Sequence, residues 1–244
     1  MIYTQVKPCV DLEKYIDAFW LVKGIGQQLK TEHIYPDGCI DLIFNLNNAC
    51  ITDNNSFVMQ SRKSYLVGTM TLCKESYLNS KNTLIGVRFK PSAFPLFYNF
   101  GPLNEFTDIT IEFDPSLSPD IHKTEQYFAS YLNAYFLNRL TKPKNNLSSV
   151  IEDIQAFNGQ ISIDTLAKRN YTTIRQLERN FKKYIGITPK EFTSIVRFQF
   201  ALSKIRDNKQ QKNLLDVAFE CGYYDQAHLS NEIKRYTRIP PSQF

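Results

Sequence analysis

The sequence predicts an α+β chain of two domains. The first, over residues 1–140, is a small β-barrel or jelly-roll with flanking helices; the second, over 147–244, is all-α, two pairs of short helices joined by one long helix. Short runs of β-forming residues between turns fill the chain to about residue 113, and a helical period takes over beyond Pro115. Between the two, Thr141-Lys142-Pro143-Lys144-Asn145-Asn146 is polar, carries a proline and reads as a linker over 141–146. At 244 residues, the chain is long enough for two separate cores.

Composition is that of a soluble globular protein rich in Phe and Tyr, without low-complexity tracts or internal repeats. No apolar run approaches the ~20 residues of a membrane span. Met1-Ile2-Tyr3-Thr4-Gln5 lacks the basic-then-apolar character of an export signal. The five cysteines (Cys9, Cys39, Cys50, Cys73, Cys221) are odd in number and scattered, so neither a disulfide framework nor a zinc motif is written, and a cytoplasmic location is expected. Residues 1–146 carry 14 Lys and Arg against 14 Asp and Glu; residues 147–244 carry 15 against 10, so the whole excess of +5 belongs to the second domain. A basic module beside a neutral one points to a polyanion met by the basic one.

In the first domain, Asp11 to Ala18 is expected as a short helix leading into the strand Phe19-Trp20-Leu21-Val22. Asp41-Leu42-Ile43-Phe44-Asn45-Leu46, alternating polar and apolar at first, Tyr65-Leu66-Val67-Gly68 and Leu84-Ile85-Gly86-Val87-Arg88-Phe89 supply further strands, with turns at Pro36-Asp37-Gly38 and Asp53-Asn54-Asn55. The mouth of such a barrel commonly holds a ligand. Trp20, Asp37, Asp41 and Arg88 are the candidates for an effector pocket. Val87 and Phe89 point away from Arg88, which either projects with Gly86 into a cavity, to pair with an anion, or lies outward. Trp20 either packs in the core or stacks on a ligand; Asp37 and Asp41 flank a turn, which by itself accounts for Asp37. Cys39 is either a reactive thiol or a buried structural one. The three histidines, His33, His122 and His228, are far apart, and neither a Gly-rich phosphate loop nor a Gly-x-Ser-x-Gly elbow is present. Enzyme activity, a metal and a cofactor are therefore not expected. Tyr127, Phe128, Tyr131, Leu132, Tyr135, Phe136 and Leu140 then form a helical aromatic stripe, for packing on the barrel or on a second subunit.

The second domain is helical throughout. Leu147 to Phe157 forms a helix stopped by Asn158-Gly159, and a short one runs from Thr165 to Asn170 with Asp164 at its start. Thr173 caps a third, with Leu177, Phe181 and Tyr184 or Ile185 inward, Arg175, Gln176, Arg179 and Lys182 outward, and Gly186 at its end. Thr188-Pro189 opens a long helix to about Asp207. After Asn208-Lys209-Gln210-Gln211 the theme returns as a helix Leu214–Glu220, a turn at Cys221-Gly222-Tyr223 and a helix capped by Asp225. Leu229, Ile233 and Tyr236 face inward, and Gln226, Ala227, Ser230, Asn231 and Lys234 outward. These are two helix-turn-helix units joined by a long helix. A connecting helix of about 20 residues spans about 30 Å, near the ~34 Å between successive major-groove faces of a duplex. Amides and arginines at the front of a helix suit paired hydrogen bonds to base edges. Arg175, Gln176 and Arg179 are thus candidate readers of one groove segment, and Gln226, Ala227, Ser230 and Asn231 of the next. Lys182, Lys190, Lys234 and Arg235 suit phosphate, and His228 suits a structural or backbone contact.

Residues from about 147 to 244 resemble the C-terminal DNA-binding domain of AraC/XylS-type transcription regulators. The first unit carries the resemblance in Leu166-Ala167, Thr173, Leu177, Arg179, Phe181-Lys182, Gly186, Thr188-Pro189, Phe192 and Arg197. The second carries it in Ala218, Gly222-Tyr223, Asp225-Gln226, His228-Leu229-Ser230, Lys234-Arg235 and Pro241-Ser242-Gln243-Phe244. Residues 12–113 resemble an N-terminal domain often fused to that module, in Phe19-Trp20, Pro36-Asp37-Gly38-Cys39, Asp41-Leu42-Ile43-Phe44-Asn45, Tyr65-Leu66-Val67-Gly68 and Gly86-Val87-Arg88-Phe89-Lys90-Pro91; this implies a fold, not a chemistry. Three positions depart from the pattern: Tyr171 and Arg238 stand where Gly is usual, and Asn231 where a basic residue is usual. The resemblance implies a sequence-specific regulator of transcription. Its expected partners are double-stranded DNA, a small-molecule effector, a second copy of the chain and the transcription machinery, without a membrane. Its rivals are a thiol-based chemical sensor using Cys39 and a protein-interaction adaptor with weakened DNA binding.

Overall fold

The computed structural model describes residues 1–28, 30–120, 127–142, 147–207 and 213–244. The strands are β1 Ile2–Val6, β2 Ile16–Lys23, β3 Lys30–Ile34, β4 Ile40–Asn45, β5 Cys50–Thr52, β6 Phe57–Met59, β7 Lys63–Val67, β8 Lys74–Leu78, β9 Thr83–Phe89 and β10 Thr110–Glu112. They form two antiparallel sheets, one in the order β1-β2-β9-β4-β7-β10, the other β3-β8-β5-β6. Side chains of the central strands alternate between two apolar clusters. Phe19, Leu42, Phe44, Val87 and Phe89 pack under the segment 94–117 and a helix. Trp20, Ile43 and Leu84 meet Met59 and Leu78 of the second sheet. Covered on both faces, β4 is buried at all six positions, so the polar-apolar alternation at Asp41-Leu42 does not mark a solvent face.

The helix expected at Asp11–Ala18 is not formed. Leu12 and Glu13 close a turn by donating to the Cys9 carbonyl, and Ile16 already pairs with Phe89 as the start of β2. The aromatic stripe forms α1, Phe128–Arg139, whose Phe128, Leu132 and Phe136 are buried in their own domain. The Phe136 ring lies 5.4 Å from Phe89 and 5.3 Å from Phe97, and the Tyr135 hydroxyl donates to the Leu117 carbonyl at 2.6 Å. The stripe thus packs on the sheet domain itself. Thr141, at the start of the predicted linker, is tied to the Leu96 carbonyl by its N–H and its hydroxyl. Residues 143–146, the segment Asn208–Gln211 and His122 lie outside the described residues.

The second domain comprises α2 Ser148–Ala156, α3 Ile163–Arg169, α4 Ile174–Tyr184, α5 Pro189–Arg206, α6 Leu214–Glu220 and α7 Gln226–Thr237. Side-chain caps set their starts: Thr173 accepts from the Gln176 N–H at 3.1 Å, Asp225 from the His228 N–H at 2.7 Å, and Thr188 with Glu191 forms a capping box on α5. α3 begins two residues before the expected Thr165, because the Ser162 hydroxyl caps it. α5 has 18 residues, a length of about 27 Å. Leu166, Leu177, Phe181, Ile195, Phe198, Val217, Leu229, Ile233 and Tyr236 share one core. Arg197 of α5 pairs with buried Glu232 of α7 at 3.3 Å and lies over the Tyr223 ring, so the second unit is clamped to α5. No helix among the described residues is long and apolar enough to cross a membrane.

The domains meet on the segment after β3. Tyr35 stands edge-on to Phe198 and Phe244, and Gln199 donates to the Pro36 carbonyl. A side chain on Gly38 (φ +81°) would come within 2.5 Å of the Phe192 ring. At the end of α4, Thr69 and Thr107 donate to the carbonyls of Ile185, which the helix C-terminus leaves unpaired, and of Gly186 just beyond it. Beyond α7, Arg238 pairs with Glu75 at 3.5 Å. Arg238 adopts φ +65° as the left-handed C-terminal cap of α7, so the residue that replaces the usual glycine makes an interdomain ion pair. Tyr171 also adopts a left-handed backbone, φ +51°, yet its side chain is 99% exposed. Left-handed geometry costs an L-residue about 1–2 kcal/mol, part of which glycine loses again as chain entropy. Tyr171→Gly is therefore expected to stabilise the chain by about 0.5–1 kcal/mol in urea unfolding; a loss of stability would show that the tyrosine makes an offsetting contact.

Candidate nucleic-acid interface

With Leu177 and Phe181 in the core, α4 turns Arg175, Arg179 and Lys182 to solvent and leaves Gln176 half-buried. Gln176 is the centre of a ladder along the helix: its Oε1 accepts from Arg179 Nη2 at 2.6 Å, and its Nε2 donates to Asn180 Oδ1 at 2.9 Å. The ladder holds the Arg179 guanidinium against the helix surface, and a base contact by Gln176 must exchange these bonds. Asn180 was not among the sequence candidates; its position beside Gln176, one turn on, is the signal that marks it. On α7, Leu229, Ile233 and Tyr236 are buried, while Gln226, Ala227, Asn231, Lys234 and Arg235 are exposed and Ser230 is half-buried. His228 caps through its N–H, and its ring stands edge-on to Tyr223, 5.2 Å away. Each turn before a candidate reader helix also presents an exposed tyrosine, Tyr171 and Tyr224; nothing in the periodicity marks the second.

The cations of this domain divide into two groups. Arg169 pairs with Asp153, Lys168 with Asp164, Lys204 with Glu220, Arg197 with Glu232 and Arg238 with Glu75. Arg175, Lys182, Lys190, Lys234 and Arg235, all exposed, form no salt bridge among the described residues. Arg206, exposed in the last turn of α5, also forms no salt bridge among the described residues and lies over the Tyr35 and Phe244 rings. The other unpaired cations lie on α4, α7 and the first turn of α5, where a polyanion can meet them without breaking an ion pair.

The four pocket candidates come together in the first domain. Trp20 Nε1 donates to Asp41 Oδ1 at 2.8 Å; Arg88 Nε lies 3.4 Å from Asp41 Oδ2, and Arg88 Nη1 3.6 Å from Asp37 Oδ2. Asp41 raises the guanidinium's affinity for its proton, while burial pushes the Asp37 carboxyl up against the lowering effect of Arg88. Trp20, Asp41 and Arg88 line a cavity of about 170 Å³ between the sheets, and Asp37 backs Arg88 from outside it. Trp20 is both core and cavity wall. Gly86 is small to admit this ring, since a Cβ there would lie 2.1 Å from the indole. Across the cavity, buried Lys74 pairs with Asp53 at 2.9 Å and donates to the Thr110 hydroxyl. A lysine in Lys74-Glu75-Ser76-Tyr77-Leu78 looks solvent-facing in sequence and is buried only because the six-stranded sheet covers this face of β8.

The five thiols are free. Burial and the neighbouring Asp37 push the Cys39 thiol well above its ordinary range, and burial alone raises Cys50 to about 12. Burial, with Glu220 nearby, raises Cys221 to about 11. These groups are held as thiols, the weakly nucleophilic form.

Comparison with known proteins agrees with this geometry. Residues 4–112 match the Domain of unknown function (DUF6597), and residues 166–244 match the Helix-turn-helix domain. An uncharacterized HTH-type transcriptional regulator of Haemophilus influenzae is 28% identical over 113 residues, 46% of this chain and 33% of that protein. The HTH-type transcriptional activator RhaS of Klebsiella pneumoniae is 30% identical over 91 residues, 37% of this chain and 31% of its own. The matches thus span about a third of these relatives' lengths. The solved structure of apo ToxT from Vibrio cholerae, a single-substitution variant, aligns over 92% of this chain and 96% of its own with a TM-score of 0.51 at 10% identity, a likeness of fold. The C-terminal part of the chain is an AraC-type helix-turn-helix domain, joined to an N-terminal domain of unknown function.

Proposed function

We propose that this protein binds specific duplex DNA through α4 and α7 in successive major-groove segments, and that a small molecule in the cavity between the sheets controls the binding. The observation that carries the DNA reading is the distribution of charge: the exposed cations on the two candidate reader faces form no salt bridge among the described residues, whereas Arg169, Arg197 and Arg238 are paired. Arg175, Gln176 and Arg179 read one segment, and Gln226, Ala227, Ser230 and Asn231 the next. Lys182, Lys190, Lys234 and Arg235 meet phosphate. Phosphate contacts set affinity and register, whereas base contacts carry sequence information. α5 keeps the readers apart by about 27 Å of helix, comparable with one duplex turn of ~34 Å. The protonated state of Cys39 disfavours the thiol-sensor alternative.

The cavity supports the effector part of this reading through its neighbours. Ile34 lines it and is followed by Tyr35 on α5; Lys74 and Ser76 line it and flank Glu75, which holds Arg238; Met70 lines it beside Thr69, which holds the end of α4. A ligand acts by preferring one arrangement of these strands and shifts DNA affinity only by that preference.

The test is direct binding to a selected duplex. Arg179→Ala is expected to cost about 1–3 kcal/mol on the preferred site and to relax specificity at one position; unchanged affinity removes it from the readers. Lys234→Ala is expected to weaken selected and random duplexes alike and to reduce the salt slope by about one. A sequence-dependent loss would instead make it a reader.

A further inference from the structure

The cavity between the sheets contains one carboxylate that the fold does not use. β3 exposes Lys30, Thr31 and His33 and turns Glu32 and Ile34 inward. Glu32 stands opposite Ser76 in the β3–β8 register, and Ser76 is buried with Lys74 and Leu78 on the cavity side of β8. Opposed residues of an antiparallel pair share a face, and Glu32 lines the cavity accordingly. The other charged side chains of the lining are committed elsewhere: Arg88 to Asp41, Lys74 to Asp53, and His33 to Glu75; Met1, with the terminal ammonium, also lines the cavity. Glu32 has no ion pair or side-chain hydrogen bond among the described residues. Three lining carboxylates thus face two side-chain cations, Lys74 and Arg88, within walls that are otherwise largely apolar.

This distribution reverses the ligand charge expected from Arg88 alone. An anion reaching Arg88 meets the repulsion of Asp41 and Asp37, whose carboxylates lie 3.4 and 3.6 Å from the guanidinium and already offset its charge. A cation reaching Glu32 displaces nothing. We propose that the cavity binds a small amphipathic amine, its ammonium on Glu32 and its apolar body against Trp20, Ile43 and Leu84. The hydroxyls of Thr52 and Ser76, both in the lining, are acceptors for the remaining ammonium protons. At about 170 Å³ the space is well below that of a drug-sized ligand, whose sites take roughly 300–1,000 Å³. The proposal rests on reading the cavity as the effector site and adds the ligand's class. The ammonium's anchor lies on β3, which runs directly into Tyr35 and the docking of α5, and opposite β8, whose Glu75 holds Arg238. An amine that tightens these strands therefore acts on both helix-turn-helix units at once.

Three probes of matched shape separate the possibilities: 2-phenylethylamine, 2-phenylethanol and 3-phenylpropionate, each titrated into the full-length protein by calorimetry and by emission of Trp20, the only tryptophan. The amine is expected to bind and to shift Trp20 emission, while the acid does neither. Glu32→Gln, checked for fold by circular dichroism, is expected to weaken the amine by about tenfold or more, the loss of a charge-assisted bond. Lys30→Gln, on the outer face of the same strand, is expected to leave amine binding intact. Equal binding of the alcohol or the acid, or amine binding indifferent to Glu32→Gln, would overturn the amine assignment and keep the effector cavity. Failure of all three probes to bind or perturb Trp20 would overturn both.

Discussion

Four residues, Tyr35 to Gly38, join the two-sheet domain and its cavity to the helical domain. The Pro36 carbonyl accepts from Gln199 in the middle of α5, Gly38 lies against Phe192 in its first turn, and Tyr35 packs among Phe198 and Phe244. Between them Asp37 turns the other way, accepting the Cys39 N–H at 2.9 Å and facing Arg88 behind the cavity. Gly38 is obligatory for two reasons: its φ of +81° and the absence of room for a Cβ. An exposed pair such as Arg238–Glu75 contributes about 0–1 kcal/mol, against about 25 cal/mol for each Å² of apolar surface removed from water.

Because α5 is the spine of both helix-turn-helix units, a domain that grips α5 positions both. The grip extends to the end of α4 through Thr69 and Thr107 and to the end of α7 through Glu75. Arg197 and Glu232 then lock α7 to α5 from within. The period of two along a strand does the rest: on β8, and where β3 runs into Tyr35, one residue faces the cavity and its neighbour faces the second domain. A change of a few tenths of an ångström between the sheets has packed elements to act upon, as a bistable interface requires.

Local chemistry made the second domain legible in the sequence. Thr173 and Asp225 cap helices whose apolar residues recur at three and four, and both features survive in the fold because neither needs a distant partner. Asp11–Ala18 misled for the converse reason. Leu12, Tyr15, Ile16 and Phe19 have helical spacing, but seven paired positions with β9 decide the conformation from Ile16 onward. Strand alternation put Arg88 opposite Val87 and Phe89, as the structure has it, but its partners Asp41 and Asp37 lie 47 and 51 positions away and their pairing had no local signal. The same distance hid the burial of Lys74, the exposure of Glu32 to the cavity and the docking of Tyr35. Arg238 looked like the loss of a glycine cap; its use becomes visible only with Glu75 beside it.

On the proposed function, two helices held on one spine read DNA as a unit. Selection of bound sequences from a random duplex library by the full-length protein tests it most directly. Two enriched blocks are expected on one face of the duplex, their centres about 10–10.5 base pairs apart, recovered at fixed spacing. A single block, two blocks at variable spacing, or no enrichment over random duplex would contradict it.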